Sequence, residues 1–532
     1  MLNRLGARLR DIPRRTAILL GLAGALLMAL CSHAVGATRY RGGLLQEIGW
    51  SNVGFGHLYG IVIAIMWVAI LLLIASWIIL GGRLVRLGEP IGAWPVVAWV
   101  APLVVAGPMM SRDVYSYLMQ GTLARDGHNA YEVGASASPG RMFFEVSADW
   151  RNTTTPYGPL HLWLGEGIVR VTGENVTLGV LAYKLISIAG LIALVFAVRA
   201  LARALTSSER TAEIAVWIGV VNPLAVIHFI GGMHSEVLMM PLVVAALVLG
   251  MRLAPWQGLL AGSALIAVAV ALKATALFAL PFLVWIFVAR AAGSLPGADG
   301  PRRSLRQVLG DLRVFTGRRF GVLLAGGVAS VAATGGVLAL VTWASGQTWG
   351  WVAEISGNSK VINPLALPSL IAGLLARPIG LVNEDIYFND ILEVVRPIST
   401  VLMLLGLVGC WVIWRRGTRD ALVGATAAYM VTCVFNPVVL PWYYLAPLAL
   451  VGVWLRDRRA LFAVAWLSMT TCLMFDSGGG NRLYDIIWIA VCGALMWWAA
   501  RACLLHDGHR LRTAHDLTGE VSVERVDRTA RQ

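Results

Sequence analysis

The sequence predicts an all-α polytopic membrane protein with about fourteen transmembrane helices, within a range of about 12–14, and both termini in the cytoplasm. Three observations predict it. Hydrophobic residues make up 58% of the chain, charged residues only 14%, and mean hydropathy is +0.72. Soluble domains carry about a quarter charged residues and could not hide that much apolar surface. Apolar runs near the length of about 20 residues needed to cross the hydrocarbon recur along the chain, and arginine collects in alternate connections.

Candidate spans begin near residues 16, 57, 92, 176, 211, 235, 256, 275, 320, 397, 420, 437, 459 and 484, with 256–292 readable as a hairpin or one kinked unit. The apolar stretch after Arg4, Arg8, Arg10, Arg14 and Arg15 resembles a signal peptide, but its length and the many later spans favour a retained first helix. Lysine and arginine concentrate on cytoplasmic loops, which tests the count. With the N-terminus inside, every even-numbered span exits into a basic connection. Examples are Arg83 and Arg86; Arg199, Arg203 and Arg210; and Arg415, Arg416 and Arg419. The 290–319 segment is the clearest such marker, with seven arginines and two acids. No polar linker divides the chain, so 1–504 reads as one membrane domain, with a cytoplasmic loop at 291–319. Only a tail at 505–532, expected to be disordered, looks separable.

The net charge of +14 would suit a nucleic-acid binder in a soluble protein. Here it marks topology, and no nucleic-acid partner is expected. The six cysteines fall in or beside apolar runs with no CxxC or Cys/His pairing, so neither disulfides nor a metal site is inferred.

Two connections expected outside are long, 111–175 and 346–396. Each contains an apolar stretch too short to span, 159–171 and 365–376, suited to a helix lying at the interface. The polar candidates gather on this side. Pro108-Met-Met-Ser-Arg112-Asp113-Val-Tyr115-Ser-Tyr117 ends the third span. A carboxylate there can take the proton of a sugar hydroxyl as a general base, the alternative being an interfacial anchor. Thr155-Pro-Tyr157-Gly-Pro-Leu-His161 reads as a rigid turn. Asn222-Pro223, His228 and Gly231-Gly-Met-His234-Ser-Glu236 break a helix where a break is costly unless it lines a wet cavity. His234 and Glu236 are too few ligands for a metal.

Lys273 is flanked by apolar helix on both sides and needs a partner, for which a phosphate is apt; snorkelling is the alternative. Asn436-Pro-Val-Val-Leu-Pro441-Trp442-Tyr443-Tyr444 offers rings for sugar CH faces or, equally, an aromatic belt. Trp349, Trp351, Asn358, Lys360, Asp476, Asn481 and Arg482 are lesser candidates. One outward-facing cavity would explain these placements together.

Ser-Arg-Asp113-Val-Tyr-Ser-Tyr resembles the GT-C glycosyltransferases. With Gly127-His-Asn-Ala-Tyr131, Pro156-Tyr157-Gly-Pro-Leu, Asn222-Pro-Leu, Gly-Gly-Met-His234-Ser-Glu236, Leu272-Lys273-Ala and Pro441-Trp442-Tyr443, the chain is similar to the actinobacterial α-1,6-mannopyranosyltransferases over most of 16–500. Ser235-Glu236 departs from the His-Asn-Asp that the family usually shows there.

The resemblance implies a GT-C-like membrane domain in the plasma membrane with its site facing outside. The implied donor is polyprenyl-phosphate mannose, and the acceptor is the α-1,6-mannan backbone of lipomannan and lipoarabinomannan precursors. On that reading Asp113 is the base of an inverting displacement. Lys273, Arg112 and His234 hold the donor phosphate, and Glu236, Tyr157, Trp442, Tyr443 and Tyr115 contact sugar or acceptor. No obligatory metal is expected, because the leaving group is not a diphosphate. The alternatives are an arabinofuranosyltransferase, a phosphatidylinositol mannoside or protein mannosyltransferase, or a transporter or flippase with ionisable groups at mid-membrane, for which Lys184 is the residue to check.

Overall fold

The computed structural model describes residues 2–295, 317–357 and 362–505. The centre of the basic 291–319 connection, the candidates Asn358 and Lys360, and the tail from 506 lie outside the described residues. Among the described residues the fold is helical, with a single isolated β-bridge between Phe475 and Asn481.

Among the described residues eight helices are long and apolar enough to cross a membrane: Arg14–Val35, Gly56–Leu87, Val176–Thr206, Pro255–Leu272, Ala274–Ala291, Gly317–Ala344, Phe388–Ile413 and Ile486–Leu505. A ninth candidate is the pair Glu209–Gly219 and Pro223–Gly231, bent by 55°. The other positions expected to begin spans hold shorter helices. These are Ala93–Val104, Glu236–Arg252, Leu445–Trp454 and Arg458–Cys472, together with the 18-residue Thr418–Phe435, which does not meet the same test. Apolar composition thus runs ahead of unbroken helix length. The expected stretches 159–171 and 365–376 form the 14-residue helices Pro159–Thr172 and Leu367–Gly380.

The breaks follow local chemistry. After Gly219 the chain opens, Asn222 caps the next turn by accepting from Leu224 N at 3.0 Å, and Pro223 starts a helix that widens into a π-turn at Ile227–Gly231. Met233 then takes a left-handed φ of 54°, uncommon outside glycine, before the Glu236 helix begins. A second break falls at Lys273, whose extended backbone (φ −155°, ψ 126°) separates Pro255–Leu272 from the tight turn Ala274–Ala279. Both breaks sit inside the bundle, where freed backbone groups must find internal partners.

The frame around them is tied together by buried aromatic contacts. Trp77 and Trp217 stack with centroids 4.8 Å apart, each donating its indole N–H to the other's carbonyl at 3.0 and 3.2 Å. All six cysteines are free and buried.

Candidate active site

Asp113 opens the helix Asp113–Arg125, and the loop before it is pinned from two sides. Met109 N donates to the Gly231 carbonyl at 3.0 Å, and Met110, with a left-handed φ of 66°, donates to the Ser477 carbonyl at 2.7 Å. Ser477 in turn holds the Val35 carbonyl at 2.6 Å, so the first span, the His234 segment and the 476–481 loop fix one turn of backbone. Ser111 Oγ accepts from Asp113 N at 3.0 Å. A strained, over-determined backbone of this kind is where sites are found.

Behind the carboxylate lies His234, fully buried, with Nδ1 3.3 Å from Asp113 Oδ2. Its ring stacks on Trp442 at a centroid distance of 3.5 Å and an interplanar angle of 13°. Burial pushes the Asp113 carboxyl up, but His234, the Ser111 contact and the charge of Lys273 outweigh it and leave the carboxyl below the ordinary carboxylate range. Lys273 forms an ion pair with Glu236, both buried, and its ammonium lies 4.4 Å from the Tyr443 ring centroid and 5.7 Å from that of Tyr157.

Asp113, Lys273, Tyr157, Trp442 and Tyr443 line one cavity of about 500 Å³. The structure therefore brings together five candidates from four separated sequence regions. Four others stand off it. His234 contacts Asp113 from behind instead of facing the space, because its ring is clamped on Trp442. Glu236 is held against Lys273.

Arg112, expected at the donor phosphate, turns the other way. It donates to the carbonyls of Thr38 at 2.6 Å and Glu145 at 2.7 Å, lies 3.3 Å from the Glu145 carboxylate, and covers the Tyr40 ring. Tyr115 follows it, donating to the Ala37 carbonyl at 2.8 Å. A helix turns by about 100° per residue, which carries Tyr115 to the face opposite the cavity, while Arg112 caps the helix with a non-helical backbone (φ −96°, ψ 12°) and turns to Glu145.

The same periodicity brings forward residues to which the Asp113 motif assigns no role. Ser116, Tyr117 and Gln120 stand three, four and seven positions after Asp113, on its helical face, and all line the cavity. Ser116 Oγ and Gln120 Oε1 are buried without a hydrogen-bond partner, unusual for native polar atoms and apt for a ligand's hydroxyls. The signal was present in the i, i+3, i+4, i+7 spacing. Tyr157 is held by a 3.2 Å contact with the Tyr117 hydroxyl and by stacking on His161 at 4.3 Å. Thr154, hydrogen-bonded to Glu354 of the second long connection, was not a sequence candidate. Among the described residues no group of three or more His, Cys, Asp or Glu side chains is placed to hold a metal ion.

Residues 18–289 match the family model described as α-(1→6)-mannopyranosyltransferase, N-terminal domain, and residues 364–505 match the MptB C-terminal domain. The chain is 45% identical to α-(1→6)-mannopyranosyltransferase A of Corynebacterium glutamicum over 89% of its own length and 95% of that protein's. The chain belongs to the α-(1→6)-mannopyranosyltransferase family. Within that family it is also 35% identical to the A enzyme of Mycobacterium tuberculosis, over 90% of its own length and 88% of the relative's. Its identity to the B enzyme of C. glutamicum is 28%, over 71% of its own length and 61% of that enzyme's. No solved structure matches. As a member of the α-(1→6)-mannopyranosyltransferase family the protein is a glycosyltransferase, and the transporter alternative falls. Lys184, the residue that alternative turned on, donates to the carbonyls of Leu103 at 2.8 Å and Ile230 at 3.3 Å.

Proposed function

We propose that the protein transfers mannose from polyprenyl-phosphate mannose to the α-1,6-mannan backbone of lipomannan and lipoarabinomannan precursors, with inversion, on the outer face of the plasma membrane. The observation that carries this reading is one cavity lined by a carboxylate and an ammonium, Asp113 and Lys273, together with the rings of Tyr157, Trp442 and Tyr443. The relatives' names supply mannose, and the arginine distribution supplies the outer face.

In the proposed step the acceptor 6-hydroxyl attacks the anomeric carbon and its proton passes to Asp113. The bond from that carbon to the phosphate oxygen breaks, and polyprenyl phosphate departs with the electron pair. A β-linked donor then gives an α-linked product. Negative charge grows on the departing phosphate, and a fixed cation in a water-poor site stabilises it strongly. Lys273 takes that role, already oriented by Glu236. Because the leaving group is a monophosphate ester, the fixed ammonium serves without an obligatory divalent ion.

His234 positions Asp113. The resting carboxyl lies low, but a bound phosphate brings negative charge and takes up part of the Lys273 field, which raises Asp113 and makes it a better base. Ser116 and Gln120 hold acceptor hydroxyls, and Tyr157, Trp442 and Tyr443 pack on sugar faces. The prenyl chain leaves past Met403 and Thr400 of Phe388–Ile413, a helix whose neighbouring Val401, Leu402, Leu404 and Leu405 are exposed apolar side chains.

The test offers purified protein radiolabelled polyprenyl-phosphate mannose and short α-1,6-mannosides. Transfer with α linkage is expected. No transfer, with activity on a polyprenyl-phosphate arabinose donor instead, contradicts the proposal.

A further inference from the structure

A second cavity, of about 750 Å³, lies behind the Asp113 helix, on the face that Tyr115 presents. Its walls come from the 32–59 segment, the 104–108 loop and the first turns of Val176–Thr206. Lys184 lines it and is 1% exposed. Two backbone carbonyls accept from its ammonium, yet among the described residues no carboxylate lies within ion-pair distance. A buried ammonium with dipoles but no counter-charge is expensive at membrane depth, and an anion entering the cavity would relieve it.

Arg39 supplies a second cation. Its Nε lies 3.8 Å from Oε1 of Glu145, which it shares with Arg112, and is buried without a hydrogen-bond partner, while its Nη1 donates to Thr177 Oγ1 at 3.2 Å. Glu145 already accepts from the Tyr40 and Arg41 backbone N–H groups and from Arg112. Glu47, exposed, is the only acid among the described lining residues. Beside polar Gln46 and Thr177, one part of the rim is apolar and exposed, with Val105, Phe55, Tyr59 and Leu181, as a lateral opening toward lipid chains requires.

We propose that this cavity binds an anionic phospholipid, its phosphate on Lys184 and Arg39 and its upper chains against the apolar rim. The ligand chemistry is a phosphate ester carried by an amphiphile, distinct from the sugar donor, whose phosphate belongs at Lys273. Because the cavity shares the Asp113 helix as a wall, the lipid would brace the loop that holds the proposed base.

Native mass spectrometry of the full chain in non-ionic detergent tests this, with phosphatidylglycerol, phosphatidylcholine of the same chains, or inorganic phosphate added. One phosphatidylglycerol should be retained in preference to phosphatidylcholine. Arg39→Gln and Lys184→Met should each weaken retention about tenfold, the effect of losing a charged hydrogen bond. Leu181→Trp, which narrows the cavity and leaves both cations, should weaken it too. If Lys184→Met does not fold, the other two variants decide. Equal retention of the two lipids, unchanged retention in Arg39→Gln and Leu181→Trp, or binding of inorganic phosphate alone would each overturn the proposal.

Discussion

Asp113 stands between two opposed influences: burial, which raises a carboxyl, and the His234 contact with nearby Lys273, which lowers it further than burial lifts it. A base works only when deprotonated, so kcat/KM, which reports the free enzyme, should persist as pH falls until Asp113 is protonated, with its acid limb below the ordinary carboxylate range. His234→Phe keeps a ring against Trp442 and removes the ring nitrogen beside the carboxylate. Burial then acts with less opposition, so the acid limb of kcat/KM should move to higher pH; a pH–rate profile identical to wild type would rule out His234 as a positioning residue.

Lys273 and Glu236 need a different design. Lys273→Met strands a buried carboxylate, costing about 3 kcal/mol of stability, and should also lower kcat/KM by about 10²–10³ through loss of phosphate stabilisation. The double variant Lys273→Met/Glu236→Gln should recover the melting temperature without recovering transfer. Recovery of both would reduce the pair to a structural role. Ser116→Ala and Gln120→Ala should raise the acceptor KM several-fold, by about 1 kcal/mol per lost hydrogen bond, and leave the donor KM unchanged in initial-rate kinetics.

At the scale of elements, the site is assembled by interruptions of helices. The turn carrying Tyr157 packs directly on the end of Pro255–Leu272, where a Cβ on Gly158 would come within 2.4 Å of the Ala271 carbonyl. Gly158→Ala should therefore push Tyr157 away from Lys273 and cost about 1–3 kcal/mol, read as a lowered melting temperature together with reduced transfer. The breaks at Asn222-Pro223, Gly231-Gly232 and Lys273 were legible in the sequence because Pro, Gly-Gly and a charge cannot continue an apolar helix without cause.

The facing of each residue was less legible. Arg112 adjoins Asp113 in sequence yet points to Glu145, because it precedes the helix as its cap residue and its backbone is not helical. Helical periodicity from Asp113 recovers both Ser116, which lies inside the motif without a role of its own, and Gln120, which lies beyond it. Helix lengths were the weakest reading. Hydropathy reports composition, and it could not say that the run after residue 437 opens as a tight Pro441–Tyr444 turn before a helix of only 10 residues.

Over the whole molecule, helical membrane architecture was readable from composition alone, and residues distant in sequence were expected to share a cavity because arginine placed them on one side. Asp113, Lys273, Tyr157 and Trp442 do meet. The side of the membrane is open to direct test. Asp149, exposed in the 111–175 connection, and Asp11, exposed near the N-terminus, should lie on opposite faces. Asp149→Cys should react with a membrane-impermeant maleimide in intact spheroplasts, and Asp11→Cys only after permeabilisation. The native cysteines are buried and should contribute little background. Labelling in the reverse order would invert the topology.

The central claim is that Asp113 is the base of a single displacement at the shared cavity. Its most direct test is the rate of mannosyl transfer by purified Asp113→Asn, measured with polyprenyl-phosphate mannose and an α-1,6-mannoside acceptor alongside binding of the donor. Transfer should fall by about 10²–10⁴ while donor binding is retained; transfer at the wild-type rate would contradict the account.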